Sequence, residues 1–353
     1  MKIGHKKILL ATNPAFWPSV GGSERVLERI LLGVKDMFDE VVVFTESVDK
    51  KTKHNGITIL PYNPETLLEY AQKYRPAIYF PNMVHSRITF KNIDRISPLC
   101  QKTVVNLIGG YPPDAPLAPR VSHLKKVEKH ADFAVHVDAL STEFFIDRTI
   151  NPRVKYAFVS QGLNFDELEP YRKLVGETKN SYFLYAHNLW SWKKPDLYVE
   201  EIAARLPELD FKVLANDKTG DFIEQTLAHA KKYKNVSVEL GLNRADYLKI
   251  LAGATALVST SSIEGAQPNI MLEAGYLGVP YLTLSPGQNY GHYPHVEMYY
   301  SLDELRDRID SGGYGILKDK AGELNRAKAM LSSGRFDWNE IIKEYRGLFW
   351  TET

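Results

Sequence analysis

The sequence has little cysteine and no long apolar run. Cys100 is the only cysteine among 353 residues, so an internal disulfide is excluded and no metal-ligand spacing of cysteines exists. A single thiol fits a reducing compartment, and we expect a cytoplasmic location, which is compatible with peripheral contact at a membrane face. No segment approaches the roughly 18 apolar residues of a spanning helix, so we expect none and interpret residues 7–13 as a first strand.

An overall excess of one charge is also lacking, since 44 Lys and Arg stand against 43 Asp and Glu. The two halves nevertheless differ. Residues 1–163 hold 22 basic and 16 acidic side chains, whereas residues 164–353 hold 22 and 27. The basic first half suits an anionic partner, such as a phosphorylated acceptor, a lipid surface or nucleic acid, although a solvated surface explains the same excess.

Strand-like apolar runs alternate with helical patterns along most of the chain. Several runs are apolar almost throughout, as strands covered on both faces should be. The clearest helical stripe begins near Ser23 and includes Val26, Ile30 and Val34. Such alternation predicts an α/β fold with parallel sheets and crossover helices. The predicted strands are 7–13, 40–46, 77–83, 103–109, 133–139, 154–160, 182–188, 211–216, 236–241, 255–260 and 280–284.

A polar stretch at 161–181 interrupts the alternation before a new apolar strand begins. Its glycine, asparagine and proline are typical of a linker between domains. We therefore predict one domain at 1–163 and a second at 164–335, with two similar architectures rather than two sequence repeats.

Two loops after predicted strands carry residues suited to a ligand, because open parallel sheets bind ligands beyond the carboxyl ends of their strands. In the first, NPAFWPSVGGSER, Gly21 and Gly22 stand where a loop enters a helix. They allow a ligand to approach the backbone, and the N–H groups of the helix start suit a phosphate. Helix entry alone also explains both glycines, and the pattern is not the G-x-G-x-x-G dinucleotide motif.

The second loop lies in TSSIEGAQPNIMLEAGYLGVP, after the strand predicted at 255–260. Pro268 is predicted as the first residue of a helix that runs through Glu273 and ends at Gly278. Glu264 lies in the loop, so two carboxylates flank a helix N-terminus that suits a diphosphate. Carboxylates accept hydrogen bonds from sugar or ribose hydroxyls. The alternative is a helix stabilised by Glu264 near its positive end, with Glu273 on a solvated face.

Together these segments resemble the glycosyltransferases of family 4, whose GT-B fold has two Rossmann-like domains with parallel sheets facing a central cleft. The resemblance covers nearly the whole chain in order, and the paired-glutamate stretch is its most specific part. The final helix, at 336–350, is similar to one that crosses back onto the first domain. The segments are GGSER at 21–25, HADFAVHVDALSTEFFIDR at 130–148, VKYAFVSQGLNFDELEP at 154–170, EGAQPNIMLEAGYLGVP at 264–280 and FDWNEIIKEYRGLF at 336–349.

The resemblance implies that the second domain binds a nucleotide sugar and the first binds the acceptor. Glu273 would hold the ribose hydroxyls and Glu264 those of the transferred sugar. Lys193 or Lys194 stands where the family carries a phosphate-binding lysine, with a plain surface lysine as the alternative. The other residues implied in donor contact are Gly21, Gly22, Gly265, Ala266, Gln267, Pro268 and Asn269.

The sequence departs from the family at three places. Glu264 and Glu273 are nine positions apart instead of eight, so one residue has entered the loop. The family's phosphate-binding arginine is missing, and His187 is its candidate substitute, although a neutral imidazole carries less charge. The family's histidine after strand 103–109 is also missing, and His85 is its candidate replacement. A structural histidine is the alternative for His85.

The resemblance thus implies a retaining transferase that moves a sugar from a UDP- or GDP-sugar to an acceptor hydroxyl. No metal and no other cofactor is expected, since lysine and helix N–H groups can stabilise the leaving diphosphate. Glu264, Lys194, His187 and His85 are the catalytic candidates. A lipid-linked, glycan or modified nucleic-acid acceptor is compatible with the sequence. The alternatives are a sugar-nucleotide epimerase and a non-catalytic protein that binds a partner.

Overall fold

The chain folds into two compact units. Unit 1 consists of residues 1–162 and 338–353, and unit 2 consists of residues 163–337. The structure is a computed structural model. It describes residues 6–18, 22–82, 87–107, 117–140, 142–174, 182–215, 220–261, 267–284, 290–311 and 321–350.

Unit 1 is built on an eight-stranded sheet in the order β3-β4-β2-β1-β5-β6-β7-β8. All neighbouring strands are parallel except β3 and β4, which form a hairpin. Every residue of β1 is buried, as expected for a central strand covered on both faces. The strands are β1 Ile8–Thr12, β2 Glu40–Thr45, β3 Thr52–His54, β4 Ile57–Pro61, β5 Ile78–Pro81, β6 Lys102–Asn106, β7 Phe133–His136 and β8 Tyr156–Phe158.

Helices connect these strands as crossovers. In α1, the apolar stripe of Val26, Ile30 and Val34 is buried, as its spacing predicts. The side chain of Asn63 caps α2 by accepting from the amides of Glu65 and Thr66. The helices are α1 Gly22–Val34, α2 Pro64–Tyr74, α3 Arg87–Ile96, α4 Leu117–His130 and α5 Thr142–Ile150.

The last helix, Trp338–Trp350, packs within unit 1 and is called α12 below. Arg346 Nη2 donates to the carbonyl oxygen of Gly33 at 2.7 Å. Lys102 Nζ donates to the carbonyl oxygen of Leu348 at 2.5 Å. A Cβ at Gly33 would overlap Ile342, so this glycine allows α1 and α12 to approach closely.

Unit 2 is built on a six-stranded, wholly parallel sheet in the order β11-β10-β9-β12-β13-β14. Counted from its first strand, this is the 3-2-1-4-5-6 order of Rossmann folds. The strands are β9 Tyr182–Ala186, β10 Asp210–Ala215, β11 Val236–Leu240, β12 Ala256–Ser259, β13 Tyr281–Thr283 and β14 Val296–Met298. The predicted α/β fold with two parallel-sheet domains is therefore confirmed.

The helices of unit 2 cover both faces of this sheet, and two buried apolar clusters fill the space between them. One connection, Leu197–Ile202, is π-helical. The α-helices are α6 Phe165–Leu168, α7 Ile223–Ala230, α8 Arg244–Ala252, α9 Asn269–Leu277, α10 Leu302–Asp310 and α11 Ala321–Leu331.

All eleven predicted strands occur in the structure, and the described residues also form three strands that were not predicted. Two of them, β3 and β4, form a hairpin around Asn55 and Gly56, whose φ angles are 49° and 80°. The third, β14, extends the edge of the second sheet next to β13. Among the described residues, no helix is both long enough and apolar enough to cross a membrane.

Candidate functional site

The order of strands in unit 2 locates a crevice at the carboxyl edge of its sheet. β9 and β12 are neighbours, but the chain leaves them toward opposite edges of the sheet. This switch point is where open α/β sheets bind ligands. His187 follows β9 directly, and Thr260 follows β12. The candidate site is therefore built from the segments that follow these two strands.

Lys193 and Lys194 belong to the segment after β9 and are tied by their backbone to the end of β12. Thr260 Oγ1 donates to the carbonyl oxygen of Lys194 at 2.7 Å. Tyr185 Oη donates to the carbonyl oxygen of Lys193 at 3.2 Å. The fully buried Tyr185 and Thr260 thus fix the two lysines beside the switch point.

The same segment is held from its other side by Asp221. This carboxylate accepts from the backbone amide of Ser191 at 2.7 Å and from its hydroxyl at 3.0 Å. Lys194 then adopts φ 50° and ψ 54°, a left-handed conformation that is unusual for a residue with a side chain. The exposed Lys194 is therefore held by a constrained loop, whereas Lys193 is largely buried, with Nζ 4.4 Å from the centre of the Trp192 ring.

His187, the predicted substitute for an arginine, lies at the end of β9 and is only 8% exposed. Its ring packs edge-on against Tyr185, with centroids 5.1 Å apart. The structure thus brings His187 to the same strand end as the lysine segment.

The start of α9 lies after β12, as predicted, although the helix begins one residue later than expected. Pro268 is the N-cap, with φ −60° and ψ 128°, and Asn269 is the first helical residue. The correction is small, because an N-cap has extended backbone angles while its carbonyl already accepts the first helical bonds. The carbonyl of Pro268 accepts from the amides of Met271 and Leu272.

Gln267 and Asn269 differ in their surroundings. Gln267 is fully buried, and its Nε2 donates to Tyr293 Oη at 2.7 Å. Asn269 is partly buried, and its Oδ1 is enclosed with no hydrogen-bond partner in the described part of the chain. The amides of Asn269 and Ile270 precede the helical ladder, so an anion at this helix start would meet N–H groups.

The rest of α9 explains the glycines that follow Glu273. A Cβ at Gly275 would lie 2.7 Å from Nδ1 of the buried His295 ring and closer still to two other ring atoms. His295 Nε2 lies 2.9 Å from the carbonyl oxygen of Met271. Gly278 ends the helix with φ 81°, as the sequence predicts, and a left-handed C-cap favours glycine there.

Glu273 faces a cluster that the sequence did not predict. Its carboxylate accepts from Arg244 Nη2 at 2.6 Å and Nη1 at 3.1 Å, and from Tyr247 Oη at 2.9 Å. Arg244 also donates to Glu167 at 3.0 Å. The side chain of Glu273 is 12% exposed, which contradicts the alternative of a solvated face.

Arg244 is the first residue of α8, where the helix dipole disfavours a cation. Burial disfavours its charged form as well, but Glu273 and Glu167 more than compensate and raise the pKa of the guanidinium above its usual range. A cation at a helix start was the sequence signal for this cluster, since such a position favours acidic partners close by.

In unit 1, three buried asparagines stand at the carboxyl ends of β1, β5 and β6. Asn82 Nδ2 donates to Asn13 Oδ1 at 2.9 Å, and Asn106 Nδ2 donates to Asn82 Oδ1 at 2.9 Å. Each is 0% exposed, and Asn106 Oδ1 has no hydrogen-bond partner among the residues that the structure describes. Gly22 is the first residue of α1, which follows β1. Polar groups thus line the carboxyl edge of this sheet too.

Several predicted site residues lie outside the described residues. These are Gly21, His85, Glu264, Gly265 and Ala266. Within the described ranges, no group of three His, Cys, Asp or Glu side chains comes together as a metal site would require.

No family model matches the chain, and no curated protein matches it. Solved structures do match the chain, over nearly its whole length. HepE from Anabaena, in complex with UDP and glucose, superposes with a TM-score of 0.71 at 14% identity, covering 99% of this chain and 100% of that one. WaaG, a glycosyltransferase of lipopolysaccharide biosynthesis, gives 0.68 at 14% identity, with 98% and 100% covered. A glycosyltransferase from Rickettsia africae gives 0.67 at 14% identity, with 98% of each chain covered. The chain therefore has the GT-B fold of these enzymes.

Proposed function

We propose that the protein is a glycosyltransferase that moves a sugar from a nucleotide diphosphate sugar to an acceptor hydroxyl. The observation that carries this proposal is the lysine segment that Thr260 fixes at the carboxyl end of β12. HepE, which has this fold, has been solved in complex with UDP-glucose. This supports a donor of the same chemical class here. Unit 2 is the donor domain in this proposal, and unit 1 is the acceptor domain.

The proposed chemistry follows from the charge that develops in the reaction. The bond between the anomeric carbon and the diphosphate oxygen breaks, and negative charge builds up on the leaving diphosphate. Lys193, Lys194 and the first amides of α9 can stabilise that charge, because fixed donors act strongly where charge develops. No metal ion is needed in this scheme.

The acceptor hydroxyl forms the new bond to the anomeric carbon, and its proton goes to the leaving diphosphate. We infer attack from the same face as departure, so that the anomeric configuration is retained. Glu273 holds the ribose hydroxyls and Glu264 the hydroxyls of the sugar in this proposal. Arg244 then orients the Glu273 carboxylate. When ribose binds, the two hydrogen bonds from Arg244 to Glu273 Oε1 and Oε2 have to rearrange so that the carboxylate can also accept from the ribose hydroxyls.

The experiment screens UDP-, GDP-, ADP- and CMP-sugars in the presence of EDTA. Two quantities are measured for each: the shift in melting temperature and the amount of free sugar released. A ligand that binds only the folded state raises the melting temperature. We expect one class of nucleotide sugar to raise it and to be slowly hydrolysed. Lys194→Ala should suppress both, whereas Lys231→Ala, an exposed lysine after α7, should change neither. No response to any nucleotide sugar would contradict the proposal.

A non-catalytic binding protein is the second candidate, and the Glu273 cluster is the observation that favours it. If Arg244 and Tyr247 permanently occupy the carboxylate, ribose has no partner there. Isothermal titration separates the two candidates, since the second predicts no affinity for any nucleotide.

A further inference from the structure

Unit 1 contains a cavity of about 240 Å³ at the start of α1. Its walls include Phe16, Trp17, Glu24, Arg25, Glu28 and His54. The residues come from the segment after β1, from the first turns of α1 and from the hairpin strand β3. None of them has a role in the donor site proposed above.

One wall of the cavity is a fixed aromatic plane. The Trp17 ring stacks on the His54 ring, with centroids 5.2 Å apart and an angle of 20° between the planes. His54 is itself held by Glu28, whose Oε1 lies 2.7 Å from Nε2. The indole is still 37% exposed, so an apolar surface of defined orientation remains accessible.

The other wall carries acidic groups at helical spacing. Glu24 and Glu28 are four residues apart and share one face of α1. Glu28 uses Oε1 for its bonds to both His54 and Asn55, and neither bond involves Oε2. Burial raises the pKa of the Glu24 carboxyl by more than the hydrogen bonds from its own backbone amide and from Ser23 lower it. These oxygens suit hydroxyl donors.

The size and charge of the cavity restrict the occupant. Ordinary small-molecule sites measure about 300–1,000 Å³, so this smaller cavity suits a single ring. The two carboxylates disfavour an anion, and Arg25 disfavours a cation. A neutral ring with hydroxyls at its edge and an apolar face satisfies both walls.

We propose that this cavity binds one sugar ring. Trp17 packs on the apolar face of the ring, and Glu24 and Glu28 accept hydrogen bonds from its hydroxyls. If the proposed function is correct, this ring belongs to the acceptor. Only that role rests on the proposed function; the binding of a sugar ring does not. The cavity would then select acceptors that end in a neutral sugar.

The test uses the whole protein labelled with 5-fluorotryptophan. The chain has five tryptophans, and Trp17→Phe identifies the ¹⁹F resonance of Trp17. The probes are the methyl glycosides of glucose, galactose, mannose and N-acetylglucosamine, with choline as a cationic probe. We expect at least one glycoside to shift the Trp17 resonance saturably and to leave the other four tryptophan resonances in place.

Glu24→Gln and Glu28→Gln should each weaken binding of that glycoside about tenfold, because a charge-assisted hydrogen bond becomes a weaker neutral one. Glu69→Gln, an exposed carboxyl on α2, is the matched control and should bind normally. The absence of a saturable shift with every glycoside, a response to choline alone, or unchanged binding in both variants would overturn the proposal. Nucleotide-sugar thermal shifts measured on the same samples report separately on the proposed function.

Discussion

Arg244 donates hydrogen bonds to both carboxylate oxygens of Glu273, at 2.6 and 3.1 Å, and thereby links the start of α8 to the middle of α9. A planar guanidinium suits this two-point contact, which a lysine does not reproduce. The pair is largely buried, with side-chain exposures of 25% and 12%. Breaking it leaves a carboxylate with Tyr247 as its remaining partner in the described cluster.

We expect a substantial coupling free energy between Arg244 and Glu273. In a double-mutant cycle of Arg244→Ala and Glu273→Gln, the coupling free energy of unfolding should be about 1–3 kcal/mol, because charge-assisted hydrogen bonds are lost from a buried place. The measurement is chemical denaturation of the wild type, both single variants and the double variant.

The exposed pair of Arg205 and Glu201 is the control for this cycle. Its N–O distance is also 2.6 Å, but the side chains are 56% and 39% exposed. Its coupling should be below about 0.5 kcal/mol. Equal coupling in the two pairs would contradict the structural role of Arg244.

At Lys194, the effect of the left-handed backbone conformation on stability can be separated from the effect of the side-chain charge on donor binding. Lys194→Gly should raise the free energy of unfolding by up to about 1 kcal/mol, since its φ of 50° favours glycine, yet it should weaken nucleotide-sugar binding as Lys194→Ala does. Denaturation and isothermal titration measure the two effects. Arg75→Gly is the matched control, because Arg75 has φ 47° in unit 1 and should gain stability with unchanged binding. Full affinity in both Lys194 variants would exclude this lysine from the donor site.

Gly275 is expected to be intolerant of a side chain. Gly275→Ala should lower the free energy of unfolding by about 1–3 kcal/mol, because the new Cβ overlaps the buried His295 ring. Gly347→Ala is a helical control in α12, where no described residue outside the local helix backbone lies within 4 Å of the new Cβ, and it should be neutral or stabilising. Thermal denaturation compares them, and similar melting temperatures for both variants would show that α9 does not pack on His295 as described.

Two buried histidines should make stability depend on pH. Burial lowers the pKa of His136 and of His295 to about 4, from an ordinary value of 6.5. The unfolded chain therefore takes up protons first as pH falls, and the stability present above pH 6.5 is lost between pH 6.5 and about 4. From pH 7 to pH 5, each ring should cost about 2 kcal/mol of unfolding free energy. His295→Gln should flatten this slope in urea denaturation at both pH values, and an unchanged slope would contradict a buried neutral ring.

The alternation of strands and helices could be read from the sequence because buried parallel strands are apolar on both faces. β1, β2 and β12 are such strands, and their continuous apolar runs reveal them. β3 and β14 are short, partly exposed edge strands and lack that signature. The Asn55-Gly56 dipeptide between β3 and β4 was nevertheless a hairpin signal, since both residues favour the positive φ angles of such a turn.

The position of the candidate site was predictable for the same reason, but its contacts were not. The sequence indicates that a loop and a helix start follow β12, and the family resemblance implied donor contacts for Lys194 and Asn269. Which groups meet Glu273 depends on the packing of α8 beside α9, across 29 residues of chain. Neither strand periodicity nor motif spacing reports such a long-range side-chain contact.

The most direct test of the account is a crystal structure of the protein with UDP, grown in the presence of EDTA. We predict that the diphosphate accepts hydrogen bonds from the amides of Asn269 and Ile270, with the Lys193 or Lys194 ammonium within about 4 Å of a phosphate oxygen. A nucleotide bound at any other edge of the sheet, or a diphosphate that touches neither α9 nor these lysines, would contradict it.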